Sequence, residues 1–554
     1  MLGLTVLLQT PPAPPAQTPA AVLADARAKM TANDLDGAAK VLETFLAANP
    51  GSFRALNLLG TVRQQQKQYD AAIDAFTRSH AADTTRANLT PLYNIAVNWA
   101  LKGDADRAFE WLEKAKKDGR IDLSFAAVDP NMASIRKDAR LASLLPKPET
   151  FSRPFVEDVT VLREWRGEGA NDNFGWIARN IGDVDADGVN DVVTSSPSYA
   201  RSAPPASPGR IYVYSTKRNQ LLWSADGADR DSLGVGIEAA GDTNRDGIPD
   251  VVASAPGGGY ARIYSGRDGK VLQTLRAENR SDGFGRHASG AGDVNRDGYA
   301  DVIIGAPNNN GGGQGAGRAY VYSGKDGSLL LTLTGERAGD AFGSAVTGGS
   351  AGGGGFVLMV GAPGAGPRQT GRVYVYDTLE GKPKFVLDSD ETGVAFGAMF
   401  VALPGDVNRD GVGDLYVSDW VNAAKGPQTG RVYAFSGKDG ARLHALTGDA
   451  AGDGFGTTQA IAGDVDADGH ADLLVGAWQY SGAAPSGGRV TLHSGKDGRV
   501  MRTFTCRTPF DTFGFDAVTI GDVNGDGASD FLITSGYSAV NGYHSGRVFI
   551  VSGK

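Results

Sequence analysis

One cysteine in 554 residues, Cys506, excludes an intramolecular disulfide, so the chain folds without covalent cross-links. Six histidines (His80, His287, His444, His470, His493 and His544) share no metal-ligand spacing. Walker and HExxH patterns are absent, which removes common local signatures of nucleotide binders and zinc proteases. No apolar run approaches the ~20 residues that span a bilayer. The net charge is −9, and no basic stripe suggests nucleic acid. What the chain has in excess is glycine, 78 residues of it, together with clustered aspartate.

The aspartates recur in six nine-residue loops, with oxygen side chains at positions one, three, five and nine and glycine at six. Counting position seven, which offers a backbone carbonyl, the candidate ligands run as follows. They are Asp183, Asp185, Asp187, Val189 and Asp191; Asp242, Asn244, Asp246, Ile248 and Asp250; Asp293, Asn295, Asp297, Tyr299 and Asp301. The later three sets are Asp406, Asn408, Asp410, Val412 and Asp414; Asp464, Asp466, Asp468, His470 and Asp472; Asp522, Asn524, Asp526, Ala528 and Asp530. Carboxylates this close repel unless a hard cation sits among them, and Ca²⁺ accepts six to eight oxygens in flexible geometry. An EF-hand would need Glu at position twelve, where these loops carry Thr194, Ala253, Ile304, Val417, Val475 and Ile533. Each loop instead runs into a short apolar stretch of the kind that forms a buried strand. Six divalent cations would reverse the sign of the net charge.

A longer unit surrounds each loop. A Phe-Gly pair precedes it at Phe174, Phe284, Phe396, Phe455 and Phe513, with Leu233-Gly234 as a variant and Phe342-Gly343 opening a unit that has no loop. A Gly-Ala-Pro or a relative follows, then Gly-Arg and an alternating strand, then a Gly-Lys-Asp-Gly turn into a fourth strand. Four short strands every 51 to 59 residues predict seven propeller blades. In the fourth, Gly349, Ala351, Gly353 and Val357 occupy the ligand positions, so that blade is expected to hold no ion and to cross 348–355 by a floppy turn. The chain stops after the third strand of blade seven, and residues 158–166 are expected to supply the fourth and close the ring.

These motifs resemble the FG-GAP repeats of integrin alpha-subunit propellers and their bacterial relatives, over residues 152–554. The resemblance implies a seven-bladed propeller, calcium on the face carrying the loops, and partner binding on the opposite face. It does not extend to a membrane anchor or to adhesion.

Before the propeller the texture changes. Residues 1–19 read as a leader or Pro-rich linker, and the apolar opening Met1–Leu8 as either a signal remnant or a frayed tail. Residues 20–147 show helical spacing in three pairs that resemble tetratricopeptide repeats, with Leu59-Gly60, Tyr93, Ala72 and Ala108 at family-like places and a capping helix at 132–145. The predicted fold class is therefore an α-helical TPR-like solenoid followed by an all-β propeller.

The residue after the second strand is Pro in four units, then Trp420, Trp478 and Tyr537 in three consecutive ones. With Tyr480 and Tyr543 in the loops beyond, these define a candidate ligand face. The expected function is a calcium-binding, non-catalytic scaffold for a protein or glycan partner, with the TPR groove offering a second site for a peptide. Extracellular calcium modules bind weakly, which suits an exported, periplasmic or extracellular protein. A carbohydrate-active or other enzyme using the propeller as scaffold is the competing expectation.

Overall fold

The computed structural model describes residues 18–84, 89–200, 207–352 and 355–554. The leader expectation for 1–19 falls almost wholly outside them. The chain divides into two compact units, residues 1–146 and 147–554.

The first unit is built from helix pairs: α1 (Pro19–Thr31), α2 (Leu35–Ala48), α3 (Phe53–Gln65), α4 (Tyr69–Ala82), α5 (Pro91–Leu101) and α6 (Ala105–Asp118). Thr18, Asp34 and Asp104 cap the amino ends of α1, α2 and α6 by accepting a backbone N–H of the first turn. Within each pair the turn contains one left-handed residue, Asn33, Lys67 or Gly103, which reverses the chain at the same place in each copy. Small residues let the helices close up. Ala38, Ala72 and Ala108 are fully buried, and a Cβ on Gly60 would lie 2.7 Å from the Phe76 ring.

The expected cap at 132–145 is much shorter. It consists of two single-turn segments, Leu123–Ala127 and Pro130–Met132, and the six-residue α7 (Ala139–Leu144). Asp122, Asp129 and Asp138 each accept the N–H two residues on, at 2.9 Å. These local turns compete with a continuous helix.

The second unit comprises seven four-stranded antiparallel sheets, a seven-bladed propeller. Blade three shows the pattern: Ala288–Gly292, Asp301–Ala306, Arg318–Tyr322 and Leu329–Thr334 pair in chain order from the axis outward. The second strand is buried throughout, so it reads as a continuous apolar run. The fourth leaves residues such as Leu329 half exposed.

The Phe-Gly motif is a joint between blades. Phe342 fills the core and its N–H donates to Ala316 O of blade three, while Gly343 N–H donates to Gly361 O of its own blade. Gly343 has φ +88°, and a Cβ there would stand 2.2 Å from Arg318 O, so no other residue fits.

In blade seven, Ala517–Gly521, Asp530–Ser535 and Arg547–Val551 are completed by Val161–Arg166, which pairs antiparallel with the third strand from Val161↔Val551 to Arg166↔Arg547. Arg547 and Asp511, both without solvent exposure, form an ion pair of 2.7 Å, and Arg547 also reaches Glu164 at 3.4 Å and Phe151 O at 3.3 Å. Upstream, Phe155 packs edge-on to Phe513 and Phe549.

Blade four departs from the sequence expectation. Its first two strands, Val346–Gly352 and Gly355–Ala362, run on past where the other blades place their loop and stay paired through Ser350↔Phe356 and Gly352↔Gly355. Residues 348–352 and 355 thus continue the two paired strands rather than forming a floppy turn. Without carboxylates to separate, nothing opposes continued pairing. Gly353, assigned to a ligand position, lies outside the described residues.

Candidate functional site

Strand direction places two sets of residues at opposite ends of the sheet. The first strand of each blade runs from the Phe-Gly joint towards the acidic loop, and the second runs back towards the Pro, Trp or Tyr position.

At the loop end the nine residues wind around their own carboxylates. In blade three, Asp293 accepts the N–H groups of Asp297 (3.0 Å) and Gly298 (2.8 Å), Asn295 that of Asp297 (3.0 Å), and Asp297 that of Tyr299 (3.1 Å). Gly298, with φ +85°, makes the sharp turn. Position four is left-handed as well, and in five loops it is not glycine: Ala186, Arg245, Arg296, Arg409 and Ala467 have φ between 58° and 62°. Such a residue costs about 1 kcal/mol or more, and it persists because the surrounding bonds fix the loop.

The ninth-position aspartates Asp191, Asp250, Asp301, Asp414, Asp472 and Asp530 are fully buried. Each accepts one N–H from loop position two and one from the turn that follows the third strand, as Asp301 does from Val294 (2.9 Å) and Gly324 (3.1 Å). Burial raises their pKa values, to about 6 for Asp191 and Asp301. The donor in blade three is glycine because a Cβ on Gly324 would stand 1.8 Å from Ala300 O. The ninth aspartate therefore ties its loop to the neighbouring turn whether or not it also holds a metal.

Two loops, the first and the fifth of the six, gather three carboxylates whose oxygens lie within 4.8 Å of one another: Asp183, Asp185 and Asp187, and Asp464, Asp466 and Asp472. These are the two loops with Asp rather than Asn at position three. Both oxygens of Asp185 are buried and accept no hydrogen bond among the described residues; the nearest cation is Arg218, 3.1 Å away. A buried, unbonded carboxylate beside two others suits a divalent cation. Sequence reasoning missed the basic neighbours. In five blades a Lys or Arg from the turn after the third strand approaches the loop: Arg218, Arg267, Lys325, Lys496 and Lys554 lie within 4.0 Å of a loop aspartate. His470 turns its ring away, to Val407 O at 2.7 Å.

At the other end a cavity of about 620 Å³ opens on the axis. Trp420, Trp478 and Tyr537 line it, joined by Trp176 and Phe515. The rings form a continuous arc: Trp420–Trp478 6.3 Å, Trp478–Phe515 5.4 Å, Phe515–Trp176 5.0 Å and Trp478–Tyr537 5.7 Å between centroids. Tyr480 does not line the cavity; it lies beneath the Arg489 guanidinium at 3.9 Å. Tyr543 stacks on His544 (3.6 Å), which abuts Tyr537 (4.7 Å), so it stands at the edge of the arc. The missed members carry one signal, since the residue after Phe-Gly lines the cavity in all seven blades: Trp176, Val235, Arg286, Ser344, Ala398, Thr457 and Phe515. Aligning that column would have exposed two further aromatics and an arginine.

Further along the inner strands a buried polar network crosses the axis. Arg179 of blade one bonds Glu238 of blade two at 2.8 Å and pairs with Asp516 of blade seven, and Gln459 of blade six bonds Glu238 at 2.8 Å.

Fold and motifs together define a repeat propeller preceded by helix-pair repeats. The model for the FG-GAP repeat matches residues 236–272, 284–322 and 455–493, and that for the tetratricopeptide repeat matches 23–87. Among similar curated proteins, integrin alpha-2 of Bos taurus is 30% identical over 168 residues, 27% of this chain and 14% of that protein. Integrin alpha-6 of Gallus gallus is 27% identical over 155 residues, 26% of this chain and 14% of that protein. Integrin alpha-5 of Xenopus laevis is 26% identical over 293 residues, 50% of this chain and 23% of that protein. The matched stretches thus span less than a quarter of each of these relatives. The chain carries FG-GAP repeats in a seven-bladed β-propeller similar to that of integrin alpha subunits, with an N-terminal tetratricopeptide-like helical domain before it. No helix among the described residues is long and apolar enough to cross a membrane.

Proposed function

We propose that this chain is a calcium-stabilised, non-catalytic interaction scaffold that works outside the cytosol and holds a protein or glycan partner at the aromatic end of its propeller. The observation that carries this reading is the division between the two ends of the blades, with acidic loops at one and an aromatic cavity at the other. In the six loops the side chains at positions one, three, five and nine, and the carbonyl at seven, would hold Ca²⁺. The ion would neutralise the carboxylates and cross-link the loop's beginning to the start of the second strand. The Lys and Arg neighbours would then give up their place to a stronger cation. Blade four would hold none.

A scaffold role is supported by the cavity's chemistry. Its lining has no carboxylate, and its one histidine, His287, already accepts the Val346 N–H at Nδ1 (3.4 Å) and is made a weak base by burial, so the lining offers no ready general base. Millimolar calcium outside the cytosol would fill such sites, which supports export. The helical domain would offer its concave side to a peptide.

Two measurements test the reading. Calcium titration of the chelated protein should fill about six sites; binding of none removes the metal role. Partner capture from an extracellular or periplasmic fraction should be lost in Trp420→Ala plus Trp478→Ala with the melt retained, and undiminished capture moves the ligand face elsewhere.

A further inference from the structure

We infer that the axial cavity receives the carboxyl end of a partner polypeptide whose last residue is aromatic or large and apolar, with Arg286 meeting its carboxylate. Resting on the ligand-face reading above, this adds the chemistry of the ligand.

Charge points first to an anion. Arg286 is the single fixed charge in the lining, and no Asp or Glu accompanies it. Its side chain is exposed and has no ion pair or hydrogen bond among the described residues. The arginines that open third strands differ, since Arg210, Arg318, Arg372, Arg431, Arg489 and Arg547 are each paired with an acid. An unpaired guanidinium beside an apolar wall is a ready carboxylate receptor.

Placement sets the shape of the ligand. The rings come from blades five, six, seven and one, whereas Arg286 and His287 come from blade three and Ser344 from blade four. An occupant therefore meets an aromatic surface on one side of the axis and a positive charge on the other. The lining hydroxyls of Thr457 and Ser344 are already engaged. Thr457 Oγ1 donates to Gly514 O at 3.1 Å and Ser344 Oγ to Ala341 O at 2.7 Å. A neutral sugar could accept from the Trp478 Nε1–H, which is buried without a partner among the described residues, but it would bring no charge to Arg286, so the lining favours an anion over it.

The cavity also favours a chain end. Its volume lies within the roughly 300–1,000 Å³ of small-ligand sites and holds one or two residues. Gln459 and Glu238 join across the axis beyond it, so a polypeptide cannot thread through. A C-terminal aromatic residue brings its ring and its carboxylate together on one residue.

Calorimetric titration of the full chain in calcium tests this with N-acetyl-tryptophan, its carboxamide, N-acetyl-Ala-Ala-Trp and cellohexaose. The acid should bind about ten-fold or more tighter than the amide. Arg286→Met, at an exposed position, should bring the acid down to the level of the amide, and Trp420→Ala should weaken both. The tripeptide should bind tighter than the single residue; the reverse assigns the cavity to a free aromatic carboxylate and overturns the polypeptide source. Equal binding of acid and amide, a preference that survives Arg286→Met, or preferential binding of cellohexaose overturns the anionic ligand. Any of these leaves the ligand-face reading standing as long as Trp420→Ala still weakens binding. Failure of every probe to bind also overturns the inference. The ligand-face reading falls separately, when the Trp420→Ala plus Trp478→Ala chain keeps its partner.

Discussion

The acidic loops and the aromatic cavity lie at the two ends of the same strands, yet they are built on opposite principles. The loops repeat almost residue for residue, and their strained position four and glycine at six recur with the same φ values. The cavity exists because the repeat is broken. Seven equivalent positions after Phe-Gly hold seven different side chains, and the four prolines at the second-strand ends give way to three aromatics. Repetition gives identical joints and a closed ring. Only departures from it make one side of the axis different from another, as binding a particular partner requires.

The charge bookkeeping differs in the same way. At the loop end, acids outnumber the bases that approach them, an imbalance that the proposed cation would complete. At the other end the arginines that open third strands are paired within the chain, as in the buried Arg547–Asp511 pair, and Arg286 in the cavity lining is the exception.

This contrast predicts that chelation has the largest effect. Calcium at ten times Kd contributes about 1.4 kcal/mol per site, so excess EGTA should lower the melting temperature markedly. An unchanged melt would take away the structural role of all six loops. At the other end, Arg547→Leu leaves Asp511 buried and unpaired and should cost about 3–5 kcal/mol. That loss should be the same with and without calcium in denaturant titrations, and calcium-dependent loss would blur the division.

Next in size is a pH effect at the cavity. Burial, reinforced by the charge of Arg179, holds His287 down to about 4. The unfolded chain takes up that proton near pH 6.5 and the folded one only near 4. The contribution is therefore complete above pH 6.5 and is lost as the pH falls, up to about 3 kcal/mol by pH 4. His287→Gln should flatten the dependence of stability on pH between 6.5 and 4; an unaltered slope would place the sensitive group elsewhere.

The smallest effect belongs to the loops. Ala186→Gly relieves a left-handed alanine (φ 58°) and should stabilise the chain by about 1 kcal/mol or less, because glycine also gains freedom in the unfolded state. Destabilisation would mean that the methyl group packs.

Much of the fold was legible because its signals are local. Phe-Gly, the acidic loop and Gly-Arg each mark a turn whose backbone geometry admits few residues, and seven copies average out the ambiguity of any one. Blade four shows the limit. Its glycines read as a loose turn, but two strands with nothing to force them apart simply continue pairing. The cap of the helical domain shows another, since Asp122, Asp129 and Asp138 make local turns that apolar spacing does not reveal.

The amino-acid sequence by itself determined the repeat, the number of blades, the composition of the acidic loops and the helical pairs before them, because these depend on neighbours in the chain. Tertiary structure alone decided which aromatics meet. It left Tyr480 under Arg489, drew Trp176 and Phe515 in from positions more than 330 residues apart, and set Arg286 across the axis from them. The reason is closure: a ring brings its first and last blades together, and contacts across its axis are fixed by the geometry of all seven blades rather than by any one segment.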